Sequence, residues 1–383
     1  MGEIDPIFGF HGLIVFGLSF SLCCLIIGLK SKFPRLCGAS SNLRAIQAMH
    51  TLCTPRVGGV AIFASFALSS FFSPISISDA YVKFILASSI IFLVGLAEDI
   101  GLGISPRIRL IAAAGASLAV MWLLEVWMPR ADIPGLDSLL TYWVIGVPLT
   151  LLVTVGITNG FNLIDGVNGL ASITAIFTAV ALSLIADQAG YTAMVHLAAM
   201  LAAVVFGFFL LNYPFGLIFL GDAGAYTLGF VLSWFGISIL LTVPDASPWA
   251  ILLTMFWPVA DTLLAIFRRV RRKTAAMGPD RLHVHQMVMR ALEICFLGRK
   301  RRRLANPLST LFLAPFVIAP PIAGVMLWDQ TNMAFMAVMV FAALFFSSYA
   351  IAPHLIRRFR RCACPIDLIG KPAVLMTVTD DAL

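Results

Sequence analysis

Apolar residues dominate this chain in runs of about 20, the length a helix needs to cross a bilayer, and polar residues gather between the runs. Eleven runs are read in order: roughly 8–29, 58–77, 82–97, 108–127, 140–157, 170–185, 194–211, 226–243, 249–267, 308–328 and 334–351. The third and sixth are short. The pattern predicts an all-α polytopic membrane protein with about eleven transmembrane helices. It forms a single transmembrane domain over 1–383. Within it lie one long loop at 268–307, carrying an amphipathic helix around 284–296, and a tail at 353–383.

Composition and charge sharpen this picture. Hydrophobic residues make up 60% of the chain and charged residues 12%, with a mean hydropathy of +0.97. A net charge of +7 could suit nucleic acid, but its placement argues against that partner. Of the 26 basic residues, 24 fall in alternate connections: Lys30 to Arg56, Arg107 and Arg109, Arg268 to Arg303, and Arg357 to Lys371. Only Lys83 and Arg130 lie on the other side. Basic loops stay in the cytoplasm, so the N-terminus is expected in the periplasm and the C-terminus in the cytoplasm. The first run follows Glu3 and Asp5 rather than lysines and is read as a span, not a cleaved signal.

Against this apolar background the stretch TNGFNLIDGVNGL at 158–170 stands out. Amides and a carboxylate placed unpaired beside a bilayer cost several kcal/mol, so they imply a ligand or a partner. Asn159, Asn162 and Asp165 recur every three residues, and Asn168 continues the series, so a helical segment would put them on one face. Amide and carboxylate oxygens suit a hard cation, and amides also suit a nucleobase edge. A polar loop with helix caps is the plainer alternative.

Other polar groups fall on the same expected side. Glu98 and Asp99 could hold a divalent ion or take a proton from a phosphate; ordinary helix-end solvation is the alternative. Asp222 lies in Gly221-Asp222-Ala223-Gly224, where glycines allow close approach to a diphosphate, or where it simply caps a helix. Asp261 lies inside a span and is a functional candidate or the ion-pair partner of Arg268 or Arg269. Arg281, His283 and His285 could bind phosphates or a sugar, whereas zinc would need a third ligand that is not nearby. The cluster 299–303 could rest on anionic headgroups. Together these groups suggest Mg²⁺-dependent phosphoryl-group transfer.

The sequence resembles the polyprenyl-phosphate N-acetylhexosamine-1-phosphate transferases, within glycosyltransferase family 4, over nearly its whole length. TPRVGG at 54–59, GLAED at 95–99, NGFNLIDGVNGL at 159–170, GDAGAYTLGF at 221–230 and PDRLHVHQ at 279–286 carry the likeness. The resemblance implies transfer of a sugar 1-phosphate from a cytoplasmic UDP-sugar to undecaprenyl phosphate, releasing UMP, in the bacterial inner membrane. It implies Mg²⁺, with Mn²⁺ as an alternate, held by Asp222 and Asn162. Asn168 would lie near the uridine, and Asp165 would support the pocket. Glu98 and Asp99 would lie next to the acceptor phosphate, and Arg281, His283 and His285 would touch sugar or diphosphate. The bilayer is the expected partner surface, a homodimer is allowed, and nucleic acid is not expected.

Two departures matter. Glu98 stands where the family usually has aspartate, and Gln286 where it usually has histidine. Both differences resemble a branch that starts O-antigen or common-antigen polysaccharides. A membrane transporter is the rival reading, but transporters place their sites near the midplane and often show repeated halves. A CDP-alcohol phosphatidyltransferase would need several spaced aspartates on one helical stretch, and the segment after Asp165 has only one acidic residue.

Overall fold

The computed structural model describes residues 6–37, 54–73, 77–272, 283–298 and 301–362. Arg281 and residues from 363 onward lie outside the described residues. The described chain is helical and contains no strand. Its helices are α1 (Pro6–Leu29), α2 (Gly58–Leu68), α3 (Ser78–Asp99), α4 (Pro106–Leu124), α5 (Trp143–Ile164), α6 (Leu170–Gln188) and α7 (Thr192–Asn212). Then follow α8 (Gly221–Thr242), α9 (Pro248–Thr254), α10 (Phe256–Arg272), α11 (Val284–Leu292), α12 (Arg302–Met326) and α13 (Thr331–Cys362).

Nine of the described helices are long and apolar enough to cross a membrane, and α9 with α10, bent by 85° at their break, forms either a broken span or a re-entrant loop. All eleven apolar runs are therefore helical, but two are not simple spans. The second reaches only Gly58–Phe72, and the ninth is broken. The third and sixth runs are longer than hydropathy suggests, at 22 and 19 residues. Their helices continue through Glu98–Asp99 and Asp187–Gln188, polar residues that end an apolar run without ending a helix.

Two boundaries need correction. The stretch 268–307 is not one loop: α10 continues to Arg272, α12 begins at Arg302, and α11 with a π-turn at Glu293–Leu297 lies between. The expected amphipathic helix is present there, with Val284, Val288 and Leu292 against the core and Met289 buried. An ion pair of Glu293 with Arg302, 3.5 Å apart, ties it to α12. The tail does not start at 353, because α13 runs through Pro353 to Cys362.

Local chemistry explains the helix starts. Ser105 accepts a hydrogen bond from the Ile108 amide before Pro106 opens α4, and Ser247 with Pro248 repeats the device at α9. A hydroxyl at the cap satisfies an orphan amide, and proline at the first position has none to satisfy.

Helix α8 is the axis of the fold. It is buried along almost its whole length, packed among α5, α3, α2 and α6. Small residues let backbones touch there. A Cβ on Gly59 would lie 2.2 Å from the Gly224 nitrogen, one on Gly95 2.6 Å from the Ala223 Cα, and one on Gly229 2.7 Å from the Thr158 Cα. In lipid, close packing of this kind replaces the hydrophobic drive as the glue between helices. At the far end Arg130 donates to the carbonyls of Leu240, Val243 and Ala246, placing a cation at the negative end of the helix.

Candidate active site

The end of α3 meets the start of α8. Gly221 holds φ +74°, which a side chain would strain, and a Cβ there would strike the Arg56 carbonyl and the Asp99 carboxylate. Asp99 is 2% exposed, and its two oxygens accept the backbone amides of Asp222 and Ala223 at 2.8 and 2.9 Å. A carboxylate from one helix thus caps the first turn of another and satisfies amides that no local residue reaches. Glu98, half-buried, turns the other way and accepts the Ile104 amide, closing the turn between α3 and α4. Its extra methylene gives it the reach.

This clamp aims Asp222. The Asn162 amide donates to Asp222 Oδ1 at 3.0 Å, and the Arg109 guanidinium pairs with Oδ2. The carboxylate from α8 therefore meets an amide from α5 and a cation from α4. Arg109 also sits over the Tyr226 ring, 5.9 Å from its centroid. Asn159 is half-buried one turn before Asn162 on α5.

Helix α5 ends at the turn 165–169. Burial pushes the Asp165 carboxyl up to about 7, against the pull of Arg56. Asp165, Glu98 and Arg56 all lie near enough to act electrostatically on Asp99. Asn168 is tied down by the protein itself. Its amide N–H donates to Asn306 Oδ1 at 2.8 Å, its carbonyl accepts Thr310 at 2.6 Å, and its side chain donates to the Pro214 carbonyl at 3.1 Å. Gly169 donates to Asn212 Oδ1 at 2.7 Å and begins α6 with φ +83°.

The histidines close one flank. His283 Nδ1 lies 2.7 Å from Asp261 Oδ2, and the Val284 amide lies 3.4 Å from Oδ1. Asp261, buried inside α10, thus holds the loop histidine, where the alternative reading had it pair with Arg268 or Arg269. Arg268 instead lies over Tyr349, 5.4 Å from the ring centroid. The rings of His283 and His285 stack at 5.7 Å. His285 presses Nε2 against Gly166, where a Cβ would be 2.1 Å away. Burial pushes His285 down to about 4, with the Asp261 carboxylate opposing. Gln286 Oε1 is buried with no hydrogen-bond partner among the described residues.

A family model for glycosyl transferase family 4 matches residues 81–240, which hold Glu98, Asp99, Arg109, Asn162, Asp165, Asn168 and Asp222. A probable undecaprenyl-phosphate N-acetylglucosaminyl 1-phosphate transferase of Bacillus subtilis is 28% identical over 244 residues, covering 63% of this chain and 67% of that protein. A decaprenyl-phosphate N-acetylglucosaminephosphotransferase of Mycobacterium leprae is 26% identical over 339 residues, covering 81% and 82%. An undecaprenyl-phosphate alpha-N-acetylglucosaminyl 1-phosphate transferase of Yersinia pestis is 24% identical over 323 residues, covering 82% and 85%.

Of the expected site residues, Asp222, Asn162 and Asp99 are joined directly, and Glu98 and Asp165 lie near enough to act electrostatically on Asp99. His283 and His285 pack on the adjoining turn, and Arg281 falls outside the described residues. Sequence reasoning gave no site role to Arg56, noted within TPRVGG, or to Arg109, counted as a topology charge, and passed over Asn212, Asn306 and Thr310. The available signal was that Arg109 lies ten residues after GLAED, in the first turn of the next helix.

Proposed function

We propose that this membrane enzyme transfers a sugar 1-phosphate from a UDP-sugar to a polyprenyl phosphate, with UMP as the other product. The observation that carries the reading is the Asp222 carboxylate, held by Asn162 and by the Asp99-capped start of α8. An N-acetylhexosamine or a 6-deoxy derivative is the proposed sugar, undecaprenyl phosphate the proposed acceptor, and the first membrane step of polysaccharide synthesis the proposed setting. All the groups lie at one end of the bundle, the end whose connections carry the basic residues. We infer that this end faces the cytoplasm, across the bacterial inner membrane.

The donor set fits Mg²⁺. Asp222 supplies a carboxylate, the ligand a hard cation prefers, and Asn162, whose amide nitrogen now faces it at 3.0 Å, would add an amide oxygen by turning its side chain over. No three of His, Cys, Asp and Glu converge on a metal site among the described residues, so phosphate oxygens and water would complete the shell. Such an ion would shield the diphosphate charge against the incoming phosphate.

In the proposed reaction a lipid phosphate oxygen attacks the donor's β-phosphorus. The bond to the bridging oxygen breaks, and its electrons leave with UMP. Asp99 is poorly placed to act as a covalent nucleophile, since it is buried and both its oxygens are bound to backbone amides. Direct attack is therefore favoured over a phospho-enzyme. In this reading Arg56 and the histidine flank would contact sugar or diphosphate oxygens, and Asn159 and Asn168 would border the donor.

A panel of UDP-sugars, assayed on purified protein with undecaprenyl phosphate, tests the reading. Labelled lipid and UMP, lost with chelator and restored by Mg²⁺, are expected for at least one UDP-N-acetylhexosamine. An active, folded preparation that transfers from none of them would overturn the assignment.

A further inference from the structure

The proposed metal ligand is already neutralised by the protein. Asp222 Oδ1 accepts from Asn162, and Oδ2 is paired with Arg109. The guanidinium is mostly buried, so water screens the pair little. A divalent ion at the same carboxylate needs one of these oxygens and would repel a guanidinium beside it. Yet Arg109 is not a fully satisfied structural residue. Its Nε–H is buried with no acceptor among the described residues. Its Nη1 is held by Asp222 and the guanidinium lies over the Tyr226 ring, which leaves the Nε–H side of the fork for another acceptor. A guanidinium has a second planar edge that matches the oxygens of a phosphate.

We propose that Arg109 is a built-in counter-cation for the metal site. It occupies Asp222 before loading and yields that oxygen to the divalent ion, transferring its own charge to the phosphate oxygens that arrive with it. This rests on the reading of Asp222 as the metal ligand. Metal and nucleotide-sugar binding are then coupled. The ion alone competes with Arg109 and binds weakly. The ion with a diphosphate gives Arg109 a new partner and binds tightly. The exchange moves no proton and needs no further reactant.

Mn²⁺ binding to the full chain in detergent, read from the electron paramagnetic resonance signal of the free ion, tests this without any turnover. Wild type is expected to bind Mn²⁺ weakly alone and at least about fivefold more tightly with UDP-N-acetylglucosamine, the low end of ordinary coupling between sites. Arg109→Gln should bind Mn²⁺ alone at least about fivefold more tightly than wild type and lose most of the gain from nucleotide. Arg109→Lys, a point charge without the fork, should fall between them and carries the test if the glutamine variant does not fold. Wild-type affinity in either folded variant, with binding still lost in Asp222→Asn, overturns the role of Arg109 and leaves the site standing. Wild-type Mn²⁺ binding in Asp222→Asn overturns both readings.

Discussion

The Asp99 carboxylate holds the backbone amide of Asp222 at 2.8 Å and that of Ala223 at 2.9 Å, across 123 residues of chain. A residue expected to touch substrate therefore also builds the platform for the residue that would bind metal. Hydrogen bonds to a charged group contribute about 1.5–3 kcal/mol each. Asp99→Ala should lower stability by about 2 kcal/mol or more and abolish transfer. Asp99→Asn, which keeps one acceptor, should melt closer to wild type. Thermal unfolding in detergent beside the transfer assay checks this; wild-type melting of the alanine variant would contradict the cap.

Backbone contact between α2, α3 and α8 leads to a second expectation. Gly59→Ala and Gly95→Ala each put a methyl group into the first turn of α8, where the nearest atoms are backbone and cannot swing aside. Overpacking of this kind costs about 1–3 kcal/mol. Both variants should melt lower and lose activity. Gly115→Ala on α4 meets nothing within 4 Å and serves as the control, expected to match wild type. Equal behaviour of all three would count against the packing.

His285 yields a pH expectation. Its folded value is lowered from 6.5 to about 4, so between those limits the unfolded chain takes up a proton that the folded chain refuses. Stability should fall as pH drops through that window, with a limiting slope of about 1.4 kcal/mol per pH unit. Asp165, raised from 3.8 to about 7, pulls the other way, because the folded chain keeps its proton and loses that stability as pH rises. Comparison of wild type with His285→Gln cancels Asp165. The variant should gain on wild type from pH 6.5 downward, as melting curves across pH 4–8 would show. A constant difference would refute the shift.

Asp261 positions His283 and is expected to act only through it. Asp261→Asn should reduce kcat by about tenfold to a hundredfold, the usual effect of removing a histidine's orienting carboxylate. His283→Gln should lose at least as much. The double variant should lose no more than His283→Gln, because residues in one network are not additive. Losses that multiply would place Asp261 in a separate role.

Much of this protein is legible in its hydropathy. Nine apolar runs became simple spans because the bilayer demands that each crossing segment satisfy its own backbone, so apolar length alone forecasts a helix. The break in the ninth run was not legible. α9 ends at Thr254 and α10 restarts at Phe256, and Pro258 in the first turn of α10 marks a helix start there without giving the 85° bend. Asp222 and Asn162 were legible as partners through motif resemblance. Their helices converge because glycines on α2, α3 and α8 allow backbone contact, which spacing along the chain does not record.

The sequence by itself determined the class of the fold, the distribution of charge between its two ends, and the residue types of the site. These depend on local quantities, namely apolar length, loop charge and motif chemistry. Only the tertiary structure decided what each group does. Asp99 caps a helix far away in the chain, Glu98 closes a turn, Asp261 holds His283 rather than an arginine, and Arg109 lies on Asp222. A carboxylate's role is set by which donors come within about 3 Å of it, and here those donors come from other helices.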